Sequence, residues 1–412
     1  MIKNNRPAYP VDSISILFLS LMRREHTNSF RFSMTLREPV CPEILQSSVD
    51  SLWRRLPSVV ACIKPGFQNY TLQQAQQPPK VLPDPGLLKT MTREELETCA
   101  FRVYYRENTI SIEVFHVLTD GGGAIMTLIT LVSDYLQRKH GIQVPISQLR
   151  LDMEAPPAPE ETEDSFLSLA EAKPWHLPSR FSYLPPRPED TDWRTRSVQL
   201  RLETRQLLDA AHRHGVTLNT LLSAVLASCV MQMQLRRNPR KLKPVRIMVP
   251  ADLRKLFGSR TMRNFALYAL PTMEPEHSNW DLSRLCQSFG EQIKSHFSRE
   301  KLASMSSYNV RTQNGWYFRY LPWKMKAMLM RIGYRFFGES NSSLTLTNLG
   351  NIRLPEEIAP HVADMQLFMT PRAGVPYGCT VLSLDDHITI TLSKFTDDTE
   401  LEDLFFGALK AL

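Results

Sequence analysis

Between Phe101 and Lys139 the chain runs from two alternating segments, FRVYYREN and TISIEVFH, through three consecutive glycines into an apolar stretch, AIMTLITLVSDYLQRK. The alternating pair predicts a β-hairpin turning near Glu107 and Asn108, and the apolar stretch predicts a helix over 124–139. Its basic last turn suits the negative end of a helix dipole. Along the second strand, Ile110, Ile112, Val114 and His116 share one face, with Ser111, Glu113 and Phe115 on the other. His116 therefore extends the apolar side. Asp120 follows four residues later, and Gly121, Gly122 and Gly123 stand where a strand must become a helix.

Similar signals recur along the chain. FRFSMTL (30–36) alternates as a strand, and CPEILQSSVDSLWRRL (41–56) carries apolar positions at helical spacing up to Pro57. A proline-rich, acidic stretch over 152–195 lacks the periodicity of a packed element and marks a crossover. Beyond it, SVQLRL, PVRIMVP (244–250), SSLTLTNLG (342–350) and HITITLSKF (387–395) read as strands. TLNTLLSAVLASCVMQMQL (217–235) reads as a buried helix with Thr217 as N-cap. The expected division is an N-terminal lobe over 1–165, a linker over 166–195 and a C-terminal lobe over 196–412. With 412 residues, 42% of them hydrophobic, two medium domains with real cores are possible.

The formal net charge of +7 favours anionic partners, although an ordinary solvated surface accounts for it equally. Basic residues are not interleaved with aromatics as single-strand binders need, so nucleic acid is not expected. Cys41, Cys62, Cys99, Cys229, Cys286 and Cys379 are scattered, without the spacing of a disulfide framework or a zinc site. Reduced thiols and no metal are the expectation. SISILFLSLM (13–22), preceded by Lys3 and Arg6 and closed by Arg23 and Arg24, has no small-residue cleavage site and is too short to span a bilayer. A cytoplasmic protein is the default.

His116 and Asp120 each have two readings. The histidine is either a core residue satisfied by a backbone carbonyl or a proton-transfer group. The aspartate is either a helix N-cap or part of a site. Glycines in a row permit positive φ and close backbone approach. The run lacks GxxxxGK[ST] and no lysine follows it, so a phosphate cradle is disfavoured.

Taken together, strand, HxxxDG and apolar helix resemble the CoA-dependent acyltransferase superfamily built on the chloramphenicol acetyltransferase fold. That group includes condensation domains, wax ester synthases and bacterial alcohol acetyltransferase-like proteins. His116, Asp120 and Gly121 match its signature. VPADLRKLFGSRTMRNF (249–265) resembles its D-x-R segment, LTLTNLGNI (344–352) its strand lining the reaction centre, and AYPVD (8–12) its N-terminus. The resemblance implies an α/β fold of two-layer sandwiches: two lobes forming a V, with a tunnel at their interface. It implies His116 as general base, Asp120 as a structural residue paired with Arg254, and Asn264 near the tunnel. Oxyanion or substrate contacts would come from Gly121, Gly122, Thr347 or Asn348, with no choice among them. Two departures matter: the DFGWG of plant enzymes is absent, and Phe115 replaces the first histidine of the doubled pair in condensation domains.

The resemblance thus implies an acyl-CoA-dependent transfer, acetyl-CoA first, to a hydroxyl or amine of a small-molecule or lipid acceptor. Acyl-CoA is a co-substrate, and no cofactor is resident. The alternatives are a condensation-type enzyme using carrier-bound thioesters, or a non-catalytic scaffold of the same fold. Since both lobes lie in one chain, a monomer is expected. RRNPRKLK (236–243) would meet the phosphates of the donor or form a solvated loop. In PWKMKAMLMRIGYRFF (322–337), Met325, Met328, Leu329, Ile332 and Phe336 share a helical face, with Lys324, Arg331 and Arg335 off it. That face either packs on its own domain or makes peripheral contact with an anionic membrane.

Overall fold

The computed structural model describes residues 6–22, 27–86, 88–174, 181–186, 194–337, 341–372 and 374–412. Lys3, Arg23, Arg24, parts of the proline-rich segment, and the side chains of Arg335 and Phe336 lie outside the described residues.

The first lobe is built on a five-stranded sheet in the order Val362–Met369, Ser29–Leu36, Thr109–Phe115, Phe101–Arg106, Val81–Pro83. The predicted hairpin is present, and Glu107 takes a positive φ of 49° in its turn. Phe30, Phe32, Met34 and Leu36 alternate inward with Ile110, Ile112 and Val114, against the helices Pro42–Arg55 and Gly121–His140. The opposite face, expected to be the polar one, is buried too. Glu113 is fully buried there, held by Arg31 at 2.7 Å and Arg102 at 2.9 Å, while Arg31 also grips Asp84 at 2.8 Å. Such a carboxylate is tolerated inside only because both oxygens meet a guanidinium.

The second lobe carries a larger sheet in the order Ala266–Ala269, Val245–Asp252, Leu344–Ile352, Tyr377–Leu384, His387–Lys394, Arg196–Glu203, with Thr272–Met273 also on the second of these. Its core helix is Leu218–Arg237, capped by Thr217 as expected: the side chain accepts from Thr220 N. Leu282–His296 and Glu400–Lys410 pack beside it. All six cysteines are free, and burial pushes Cys99 and Cys229 up to about 12, so neither thiol is reactive at neutral pH.

The lobes do not divide at the expected boundaries. Val362–Met369, from the last quarter of the chain, adds an antiparallel edge to the first lobe's sheet through Ser29–Leu36. Ile352, Ile358, Leu382 and Leu384 also enter the first core. The 166–195 segment opens inside structure: Phe166 is buried with Leu253, Phe265 and Leu302. Just before it, Glu161 binds Arg55 at 2.6 Å. One aromatic and one carboxylate anchor a stretch whose composition gave no periodic signal.

Candidate active site

His116 sits one residue past the end of its strand, in the turn leading to the glycine helix, and is partly exposed. It is therefore at the rim of the sheet, not on its inward face. Phe18, from the helix Ser13–Leu21, lies 4.5 Å from the imidazole centroid, and Phe30 meets it edge-on at 5.0 Å. Two rings thus fix the imidazole plane.

Its tautomer follows from Asn264. The Asn264 side-chain nitrogen faces only acceptors: His116 O at 2.9 Å, Asp12 Oδ2 at 3.2 Å, Ser15 Oγ at 3.3 Å and Val117 O at 3.4 Å. A flipped amide would set its oxygen against two carbonyls and a carboxylate, so Oδ1 points at His116 Nδ1, 3.1 Å away. Nδ1–H must then donate to Oδ1. Nε2 keeps its lone pair and meets no hydrogen-bond partner among the described residues. Asn264, expected near a tunnel as a substrate contact, is instead buried and orients the histidine.

Behind Asn264 lies an acidic pair, the buried Asp12 of the AYPVD stretch and the half-buried Asp164, whose pairing sequence reading did not single out. Asp12 caps the Ser13–Leu21 helix through Ser15 N at 2.8 Å and lies 3.8 Å from the buried Arg263. Asp164 lies beside it and accepts from Phe166 N at 3.2 Å. Burial, then the neighbouring Asp12, raise the Asp164 carboxyl to about 6 against the opposing charge of Arg263. Neither the helix cap at Asp12 nor its reach to Asn264, more than two hundred positions away, was read from the sequence.

Asp120 satisfies both of its readings at once. Its side chain accepts from Gly123 N at 3.0 Å, capping Gly121–His140, and from Phe265 N at 2.7 Å. Arg254 grips the same carboxylate with two nitrogens, at 2.9 and 3.1 Å. Burial would raise its pKa, but the charge and hydrogen bonds of Arg254 and the two backbone amides outweigh that and hold the carboxyl below its ordinary value. Arg254 spends its other donors on Thr261 O, Arg263 O and Asp252, so the 252–265 loop wraps one guanidinium. The two stretches quoted from the sequence therefore meet.

The glycines serve close approach, with no positive φ among them. A Cβ on Gly123 would collide with Thr119 Oγ1 and stand 2.6 Å from Met262 O; one on Gly122 would collide with the Asp252 carboxylate and stand 2.8 Å from Arg254. The TNLG strand arrives at the same helix start, where the Leu349 side chain would lie 3.2 Å from a Cβ on Gly121. Gly121 and Gly122 are the first-turn amides that the Asp120 side chain leaves uncapped. Asn348, by contrast, accepts from Gly350 N at 2.8 Å, shaping a bulge where Gly350 has φ of 74°. Its oxygen is committed to the backbone. Thr347 Oγ1 is buried and has no hydrogen-bond partner among the described residues.

Other expected features stay apart. Arg237 is bound by Asp398 at 2.6 Å and Glu400 at 2.8 Å, and Arg236 by Glu400 at 3.5 Å, so the first two of the three arginines in the basic run are engaged in ion pairs. Cavities of about 500 and 380 Å³ are lined by Lys64, Arg93 and Glu97, and by Tyr183, Gln234 and Lys243. Neither is lined by His116 or by its partners, so neither is the expected tunnel. Glu38, His140 and His361 bring ligand atoms within 4.8 Å of one another, but the Lys139 ammonium lies 3.3 Å from Glu38 and the imidazoles are stacked.

No family model matches the chain, and no curated protein sequence matches it. Solved structures do. Polyketide synthase associated protein 5 from Mycobacterium tuberculosis aligns over 97% of this chain and 96% of its own, at TM-score 0.59 and 15% identity. Trichothecene 15-O-acetyltransferase from Fusarium sporotrichioides aligns over 98% and 94%, at 0.60 and 11%. The wax ester synthase/diacylglycerol acyltransferase from Marinobacter aquaeolei VT8 aligns over 98% of both chains, at 0.54 and 12%. Near-complete coverage in both directions extends the likeness to both lobes and their connection: the chain shares the two-lobed fold of these solved structures, the fold that the HxxxDG and D-x-R segments implied.

Proposed function

We propose that this protein transfers an acyl group from an acyl thioester, acyl-CoA first, to a hydroxyl or amine acceptor, with His116 as general base. The observation that carries the reading is the orientation of one imidazole: Nδ1 committed to Asn264, Nε2 without a partner among the described residues, at the mouth of a loop clamped by Asp120 and Arg254.

In this mechanism the acceptor hydroxyl gives its proton to Nε2 as its oxygen attacks the thioester carbonyl carbon. Positive charge on the ring is stabilised by Nδ1–H···Oδ1 of Asn264, whose amide nitrogen is in turn bound to the Asp12 carboxylate. Oxyanion donors are the amides of Gly121 and Gly122, which the Asp120 side chain leaves uncapped, and the Thr347 hydroxyl, which has no partner among the described residues. When the tetrahedral intermediate collapses, the C–S bond breaks and the thiolate takes the proton from Nε2. No acyl-enzyme is required, since the acceptor is the nucleophile. The chemistry serves an alcohol and an amine alike.

The test is thiol release from acetyl-, butyryl- and palmitoyl-CoA with a mixed alcohol and amine panel. Release that depends on acceptor supports the reading and ranks the donors. Release only from an acylated carrier protein would replace free CoA by a carrier-bound donor. No release from either donor, by folded protein, would leave a scaffold.

A further inference from the structure

The helix Trp323–Phe337 turns Lys326 and Ala327 inward, where both are buried, while Arg331 stays exposed at the edge and its Nε donates to Ser20 O at 2.6 Å. Four of its large apolar residues point the other way, while Trp323 packs against the first core. Met325, Met328, Leu329 and Ile332 are each exposed by 45–51%. The expectation that this face packs on its own domain is thus not met. Two more apolar groups lie beside it. Trp316 and Tyr320, 80% and 66% exposed, belong to the preceding turn, which Lys326 Nζ ties down through Arg319 O at 3.1 Å. Phe67, 79% exposed, lies at the helix start, where Trp323 N donates to Phe67 O at 2.9 Å and Lys326 reaches Asn69. Contiguous exposed aromatics and methionines on a single surface mark a contact site.

Charge identifies the occupant. Every charged residue from 301 to 338 is a lysine or arginine, and Arg319, Lys324 and Arg331 are exposed along this surface. A partner protein would be matched by mixed charge, whereas apolar side chains rimmed by cations alone complement acyl chains beneath anionic headgroups, with tryptophan and tyrosine at the boundary. We propose that the Met325–Met328–Leu329–Ile332 face, with Trp316, Tyr320 and Phe67, docks on an anionic lipid bilayer. The same helix packs on Ser13–Leu21, whose Phe18 covers the His116 ring, so the docked surface lies one helix from the candidate base. Docking itself does not rest on the acyl-transfer reading.

Flotation of the full chain with phosphatidylcholine vesicles, with and without phosphatidylglycerol, tests this against the double substitution Met328→Glu with Ile332→Glu. Both positions are exposed, so circular dichroism and melting should match wild type. Wild type should float with the phosphatidylglycerol vesicles only, less so at high salt, and the variant should bind at least about tenfold more weakly. Failure to float, equal flotation with neutral vesicles, or equal binding by the folded variant would overturn the proposal. So would a wild-type dimer that the variant dissolves while neither floats, since the face would then belong to a second copy.

Discussion

The proposed role of His116 needs its ring held in one tautomer, and Asn264 is the residue placed to hold it. If His116 is the base as proposed, Asn264→Ala should lower kcat by about tenfold to a hundredfold while leaving the donor KM nearly unchanged, because the buried side chain contacts the imidazole. A rise in KM alone would return Asn264 to substrate binding. Asp164 offers a pH test. Its folded pKa of about 6 lies above the ordinary 3.8, so the folded state keeps the proton longer, and this group's contribution to stability falls as pH rises from 3.8 to about 6. Asp164→Asn retains an oxygen for Phe166 N and should flatten urea-unfolding stability across that window; parallel curves would contradict it. The histidine and its capping aspartate were legible as a spaced pair. Asn264's hold on the imidazole was not, because it depends on a contact across 148 positions that no local pattern encodes.

At the scale of elements, the glycine helix start is shaped by what presses on it. Gly123→Ala should destabilise by about 1–3 kcal/mol through collision with Thr119 and Met262 O, overriding the gain of about 1 kcal/mol in helix propensity. Gly121→Ala, which meets only a flexible leucine methyl at 3.2 Å, should cost less; equal melting of the two variants would refute the packing argument. Strands and helices with strong period were readable within a residue or two, as at 29–36, 42–55 and 218–237. The helix expected over 124–139 starts at Gly121, because a glycine run hides helical geometry behind its usual association with turns. The second face of Thr109–Phe115 escaped for a different reason: Glu113 reads as solvent-facing until two arginines from other strands are placed against it.

Across the whole molecule, Asp120 and Arg254 clamp the HxxxDG turn of the first lobe to the 252–265 loop of the second. Asp120→Asn keeps the cap but leaves the buried Arg254 with only the half-exposed Asp252 for charge balance, which should cost roughly 3 kcal/mol and lower activity with it. Unchanged melting would show the clamp to be idle. Two lobes were legible from the crossover of composition after residue 150, but the return of Val362–Met369 to the first sheet was not, since strand partners are chosen by tertiary packing. The central claim is that His116 removes the acceptor's proton, and single-turnover thiol release by wild type and His116→Ala, with the preferred donor and acceptor at saturation, tests it most directly. The variant should fold normally and lose about 10² to 10⁴ in rate; retention of the wild-type rate would remove His116 from the mechanism.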